Sequence, residues 1–286
     1  MKIGFIGAGK VGFTMGKHLA DHGYNVTGYY NRNLEAASDA ALFTGTRKFD
    51  SLEEITDASD VLFLTVSDGA IADVWEQLRT LDLTDKIICH TSGALSSDIF
   101  EGIDEKGAFG YSIHPLFAVY SRLESYKEFS RSFITIEGNE KYLDYFVDMY
   151  RSMGHKVAVI AAENKMRYHA AAVFSSNFIV GVAAIAENML KSCGFSDEDA
   201  GNALAPILMN NCRNIVNAGT VNALTGPVER NDMGTISDHL KVLDEFEKRV
   251  YIDLSEAALH VAQVKNPERD YDNLKALLNE KGKERK

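Results

Sequence analysis

Up to about Ala161, short apolar runs alternate with helix-like stretches. The strand candidates are Lys2–Gly7, Asn25–Tyr30, Asp60–Val66, Lys86–His90, Gly110–His114, Phe133–Glu137 and Lys156–Ile160. Several are continuously apolar, the pattern of parallel strands covered on both faces. Between them lie helical patterns such as Val11–His22, stopped by Gly23, and Glu140–Ser152, stopped by Gly154. This alternation predicts an α/β domain with a doubly wound, Rossmann-type parallel sheet.

Beyond Ala161 the strand pattern ends. Helical segments are expected over Glu163–Ser192, Asp197–Ala218, Thr235–His260 with a break, and from about Arg269. Gly194, the Asn222–Pro227 region and Asn266–Pro267 separate them. The chain is therefore expected to divide into residues 1–161, an α/β domain, and residues 162–286, an all-α domain. From Ala170 to Ala186 no residue is charged. Ser175, Ser176 and Asn177 interrupt that stretch, so a buried core helix is expected there rather than a membrane span.

Composition adds limits. The 286 residues suggest two domains, at roughly 150 residues per domain. With 30 Lys and Arg against 41 Asp and Glu, the net charge is −11, which disfavours nucleic acid as a partner. A small anionic ligand needs only a few local cations and helix N-termini, so it stays open. Cys89, Cys193 and Cys212 form no CxxC pair, so neither a disulfide framework nor a metal site is expected. The N-terminus has no apolar run fit for a signal peptide before its glycines, and a soluble cytoplasmic protein is expected.

The first motif is Gly7-Ala8-Gly9-Lys10-Val11-Gly12, a G-x-G-x-x-G turn that follows a strand and opens a helix. In that context Gly7 makes the tight turn, Gly9 lets the backbone approach a diphosphate, and Gly12 permits close helix packing. The helix N-terminus adds unpaired N–H groups. At the end of the second strand, Asn31-Arg32-Asn33 stands where an acid would bind a ribose 2′-OH. Arg32 suits a 2′-phosphate instead, so the expected cofactor is NADP(H). The backbone at Val66 and Ser67, and Thr91 after a later strand, are expected beside it.

Groups for chemistry gather at strand ends. Ser92 and Gly93, in His90-Thr91-Ser92-Gly93-Ala94, are candidates for holding a substrate or the nicotinamide amide; a plain hydroxyl-rich turn is the other reading. His114, before Pro115, suits acid–base work, or is a structural histidine. Asp68 is read as a helix cap. Lys165 and His169 are i, i+4 at a helix start and share a face, with Ser176 near that face and Asn177 to its side. Lys165 is the leading proton donor, with His114 and His169 as alternates. Arg230 is a candidate carboxylate clamp steadied by Asp232, or one half of a surface ion pair.

Ile6–Gly12, Tyr30–Asn33, His90–Leu95, Ser112–Leu116, Lys165–Phe178 and Leu224–Asp232 together give the chain a resemblance. It resembles NADP-dependent oxidoreductases of the β-hydroxyacid dehydrogenase and pyrroline-carboxylate reductase superfamily, in the branch that pairs a Rossmann-like domain with a helical domain of unknown function. The resemblance implies a helical domain that often dimerises, hence a homodimer, and an active site between domains. It implies that Lys165 matches a catalytic lysine, while His169 stands where the dehydrogenases carry Asn. Ser92-Gly93 is similar to their substrate-binding segment, and His114-Pro115 to the His-Pro of prephenate dehydrogenases. The function expected is hydride transfer to or from a small anionic C=O or C=N substrate. A non-catalytic NADP(H)-binding sensor or scaffold is the alternative.

Overall fold

The computed structural model describes residues 1–283 and places eight strands in one sheet. They are β1 Lys2–Ile6, β2 Asn25–Tyr30, β3 Arg47–Lys48, β4 Val61–Leu64, β5 Ile87–His90, β6 Phe109–Leu116, β7 Phe133–Gly138 and β8 Lys156–Val159. Their order across the sheet is β3-β2-β1-β4-β5-β6-β7-β8. All neighbours run parallel except β6 and β7, whose antiparallel register runs from Tyr111 opposite Gly138 to Leu116 opposite Phe133. The switch between β1 and β4 opens the crevice in which such sheets bind ligands. The seven expected strands are present. Only β3, two residues beside Gly28 and Tyr29, was not legible, because no period can show in so short a run.

Continuous apolar strands are buried on both faces, and alternation sorts their side chains. Phe5, Phe63 and Tyr111 join one core with Phe13 and Phe146, while Leu62, Leu64 and Ile88 join the other with Trp75 and Phe100. Phe5 stacks on Phe63 with centroids 5.5 Å apart, and each such fully buried ring stabilises the fold by roughly 1.5–3 kcal/mol.

The helices of the first half are α1 Lys10–Asp21, α2 Leu34–Thr44, α3 Leu52–Ala58, α4 Asp68–Leu78, α5 Leu143–Ser152 and α6 Lys165–Ser175. Asn33 starts α2 by accepting from the Glu35 and Ala36 amides, and Ser51 starts α3 by accepting from Glu54. Then come α7 Asn177–Ser192, α8 Asp197–Ala223, α9 Pro227–Arg230, α10 Met233–Val242, α11 Glu245–Lys265 and α12 Asp272–Lys283. The expected break within 235–260 falls before α11, where Asp244 and Glu247 form a reciprocal capping box. Gly219, with φ 78°, kinks α8 near its end.

The chain divides into two compact units, Met1–Asn177 and Phe178–Lys286. The first runs on past residue 161 and takes in α6. Val228, Ile236, Leu240, Ile252, Leu259 and Leu274 make the core of the second.

The stretch 170–186 departs from the expectation of a buried core helix. Ser176 (φ −131°, ψ −74°) ends α6, and no residue of α7 is buried. Val180 is 70% exposed and Phe178 50%. A charge-free run records that a helix is to be covered, not by what. By length and composition, a stretch of 18 residues within Ala162–Ser192 reaches the mean hydropathy of a membrane-crossing helix, 1.6.

Candidate active site

The glycine turn is built by its own packing. Gly7 has φ 113°, and a Cβ there would lie 2.7 Å from the Thr65 carbonyl. A Cβ on Gly12 would lie 2.5 Å from Gly7 O and 2.6 Å from Thr65 Oγ1. Both glycines are required by the fold. Gly9 differs, since the nearest atom to its Cβ position is Thr65 O at 3.9 Å. No other atom of the described residues comes within 4 Å of that position, which leaves the backbone open to a ligand.

A cavity of about 270 Å³ adjoins the turn, lined by Gly7, Ala8, Gly9, Asn31, Arg32, Val66 and Ser67 among others. Asn31 Oδ1 accepts from the Ala8 amide at 3.4 Å and its Nδ2 donates to Asn33 O, tying the end of β2 to the turn. Arg32 is exposed at the rim and enters no ion pair within 4 Å among the described residues. Lys10 and Val11 open α1, and with Gly12 and Thr91 they lie outside the cavity lining. The open Gly9 backbone, the helix N-terminus behind it and an uncommitted guanidinium fit the diphosphate and 2′-phosphate of NADP(H).

The second group of residues lies at the ends of β5 and β6 and on α6, all in the first unit. Lys165 is buried, and its Nζ donates to Ser92 O at 2.9 Å and to Ser112 Oγ at 2.6 Å. Its ammonium has three N–H donors, and no carboxylate lies within ion-pair distance among the described residues. Burial lowers its pKa to about 8, opposed by the more distant carboxylates of Glu137 and Asp68. Ser112 and His114 are i, i+2 on β6 and share a face.

Ser92 Oγ donates to Asp68 Oδ2 at 2.7 Å and accepts from the Ala94 and Leu95 amides, which fixes the Ser92-Gly93 turn. The Ser92 amide donates to His90 Nδ1 at 3.2 Å, so the proton of the neutral ring is on Nε2, which donates to Ser96 O. Burial holds His90 at a pKa of about 4.

Gly93 is where the histidines converge. A Cβ there would lie 2.8 Å from His169 Nδ1 and 2.9 Å from His114 Nε2. His114 Nδ1 shares a 2.7 Å hydrogen bond with the Tyr168 hydroxyl. Burial first, then the Lys165 and His169 charges, lower His114 to about 4, so it is neutral at pH 7. His169 Nδ1 is buried and has no hydrogen-bond partner among the described residues. His114, His169, Ser176 and Asn177 line a cavity of about 360 Å³ with Phe117 and Ala118.

Some expectations need correction. Asp68 does not cap α4; Ser67 holds that position, and the Asp68 carboxylate accepts from Ser92 instead. Lys165 does not line the cavity of His114 and His169, because its amine turns to Ser92 and Ser112. Arg230 is exposed at the end of α9 in the second unit, and Asp232 does not steady it. The Asp232 carboxylate accepts from the Thr235 amide and hydroxyl and caps α10.

Sequence reasoning missed Ser112 and Tyr168. Each carried a signal: Ser112 shares the strand face of His114, and Tyr168 lies one helical turn beyond Lys165. It also missed Arg122, whose Nη2 donates to Ala8 O at 2.9 Å, because no local pattern links residues so far apart.

A search of curated proteins returns no match. Among solved structures, protein TM1727 of Thermotoga maritima matches with a TM-score of 0.74 at 24% identity, over 92% of this chain and 99% of that one. A reductive aminase from Aspergillus terreus, in complex with NADPH and ethyl-5-oxohexanoate, matches with a TM-score of 0.62 at 16% identity, over 99% and 94%. Pyrroline carboxylate reductase of Plasmodium falciparum, with NADP bound, matches with a TM-score of 0.60 at 14% identity, over 93% and 98%. At these identities the likeness is one of fold. Residues 1–115 match the Rossmann-like domain, and residues 132–258 match the domain of unknown function DUF2520. The chain thus joins a Rossmann-like domain to a DUF2520 domain.

Proposed function

We propose that the protein is an NADP(H)-dependent oxidoreductase acting on a small anionic substrate with a C=O or C=N bond. The observation that carries this reading is the pairing, within one unit, of an open glycine turn beside Arg32 with a buried, carboxylate-free ammonium at the ends of β5 and β6. The comparison structures that hold NADPH or NADP support the cofactor.

In this reading Gly7, Gly9 and Gly12 shape the diphosphate turn, with the Lys10 and Val11 amides at the helix start. Arg32 takes the 2′-phosphate, and Asn31, Val66, Ser67 and Thr91 flank the nucleotide. NADPH, when bound, supplies the hydride for an sp² carbon. Lys165 holds the proton needed at the substrate heteroatom: its pKa of about 8 leaves it mostly charged at pH 7, yet able to give the proton up. Ser92 O and Ser112 Oγ aim the ammonium, leaving one N–H uncommitted. His169 Nδ1, buried without a partner, offers the substrate a hydrogen bond beside neutral His114. Gly93 leaves the space in which His114 and His169 meet, and Asn177 is proposed to hold the substrate anion.

We further propose a homodimer. The helices α7 and α8 expose Val180, Ile207, Met209 and Val216, large apolar side chains that a partner copy would cover.

The test has two parts. Titration of NADPH and NADH should show Arg32→Ala weakening NADPH binding about tenfold or more with little change for NADH; equal losses sink the NADP assignment. A panel of small keto acids, imines and hydroxy acids is then followed by NADPH absorbance. Turnover that disappears in Lys165→Met supports the enzyme; tight NADPH binding with no turnover anywhere in the panel favours a sensor.

A further inference from the structure

We propose that Arg122 is a second cationic clamp on the bound dinucleotide, taking the diphosphate over the glycine turn. The proposal rests on the NADP(H) reading above and adds a group that no motif marks.

Arg122 lies in the segment that follows β6, just before a short 3-10 helix over Ser125–Arg131. The Ser121 amide donates to Ser125 Oγ and the Leu123 amide to Ser121 Oγ, so the residues around it are tied down. From there the side chain reaches α1 and the glycine turn. Its guanidinium carbon sits 4.1 Å from the centroid of the Phe13 ring, and Nη2 donates to Ala8 O at 2.9 Å. Nε is buried and has no hydrogen-bond partner among the described residues.

A guanidinium carries five N–H donors in a planar fork. Here one is placed, one is buried without a partner, and no carboxylate lies within ion-pair distance among the described residues. A sheltered cation without a counter-charge costs stability, and an arriving anion removes that cost. Ala8 directly precedes Gly9, the one glycine of the turn whose missing Cβ the chain itself does not need. An anion seated on the Gly9 backbone therefore arrives within reach of this guanidinium. The cation–π contact with Phe13 holds the planar fork in place beside the turn.

The full-length protein is assayed as wild type, Arg122→Gln, Arg122→Lys and Arg122→Ala. NADPH is titrated by fluorescence at several salt concentrations, with 2′-AMP as a competitor that carries the 2′-phosphate but no diphosphate. We expect Arg122→Gln and Arg122→Ala to bind NADPH roughly tenfold to a hundredfold more weakly. Their salt dependence should be flatter, with most of the affinity regained in Arg122→Lys and 2′-AMP binding alike in all four. Gln can still donate to Ala8 O, so a purely structural tie would leave Arg122→Gln like wild type. That result, or an equal loss for 2′-AMP, overturns the clamp alone. Wild-type protein that binds neither NADPH nor 2′-AMP overturns the dinucleotide reading, and the clamp with it.

Discussion

Replacing Gly9 by Ala separates what the fold needs from what the ligand needs. The backbone there (φ −82°, ψ −173°) is one that any residue adopts, and the nearest atom to the new methyl is Thr65 O at 3.9 Å. The stiffer unfolded chain favours Ala by about 0.4–1 kcal/mol. Losing Gly at a helix start costs some tenths of a kcal/mol in the other direction. The apoprotein should therefore melt within about 2 °C of wild type. Gly12→Ala is the contrast, because its methyl would lie 2.5 Å from Gly7 O, a backbone atom that cannot turn aside. Such overpacking costs about 1–3 kcal/mol, or a melting temperature lower by roughly 3–10 °C. For NADPH the order reverses. A methyl at Gly9 stands where the diphosphate meets the backbone and removes one or two charge-assisted bonds of about 1.5–3 kcal/mol each, at least a tenfold loss of affinity. Scanning fluorimetry of the apoproteins and NADPH titration measure both quantities. If Gly9→Ala melts as low as Gly12→Ala, or keeps wild-type affinity, the argument from the open Gly9 site is wrong.

Three further outcomes follow from the same geometry. Because Lys165 titrates at about 8 and reduction consumes its proton, kcat/KM for reduction should fall as pH rises through 8, while that for oxidation falls below it; an unchanged profile in an active Lys165→Met variant refutes the role. Gly93→Ala would press a methyl to 2.8 Å from His169 Nδ1 and 2.9 Å from His114 Nε2; turnover should drop about a hundredfold with NADPH binding intact, and unaltered turnover would mean that the substrate does not meet these rings. His18, buried against His155 at 2.9 Å, is lowered by burial from 6.5 to about 3. The unfolded chain then takes up the proton first as pH falls below 6.5, so stability present above 6.5 is lost on acidification. The loss is about 2 kcal/mol by pH 5, and urea unfolding at pH 7.5 and 5 should show it shrinking in His18→Leu.

The sheet was legible because each of its strands except β3 carries its own signal. An apolar run covered on both faces reads the same wherever it sits, and capping residues such as Asn33 and Asp244 mark helix starts locally. The glycine turn was legible for the same reason: strand, turn and helix are contiguous. What escaped depends on partners distant in the chain. The charge-free stretch of α7 states only that something covers it, and α7 proves to have no buried residue. His169 was visible through its i, i+4 spacing from Lys165, but its convergence with His114 at Gly93 required the ends of β5 and β6 to be neighbours first.

Charge was the least legible property, and physics gives the reason. A net charge of −11 is a sum over solvated side chains, whereas this region is marked by a buried Lys165 and a half-buried Arg122, neither with a carboxylate within ion-pair distance among the described residues. Lys165 gives up an ordinary pKa for its place between Ser92 and Ser112. Arg122 leaves Nε unpaired above the turn. In sequence both look like common basic residues of a helix start and a loop. Only their burial distinguishes them, and burial without compensation costs stability that packing elsewhere must offset. Two such costs, one beside the glycine turn and one at the ends of β5 and β6, fit the proposed site for an anionic cofactor and a proton-accepting substrate. A protein that used this fold as a passive scaffold would gain stability by replacing either residue with an apolar one of similar volume.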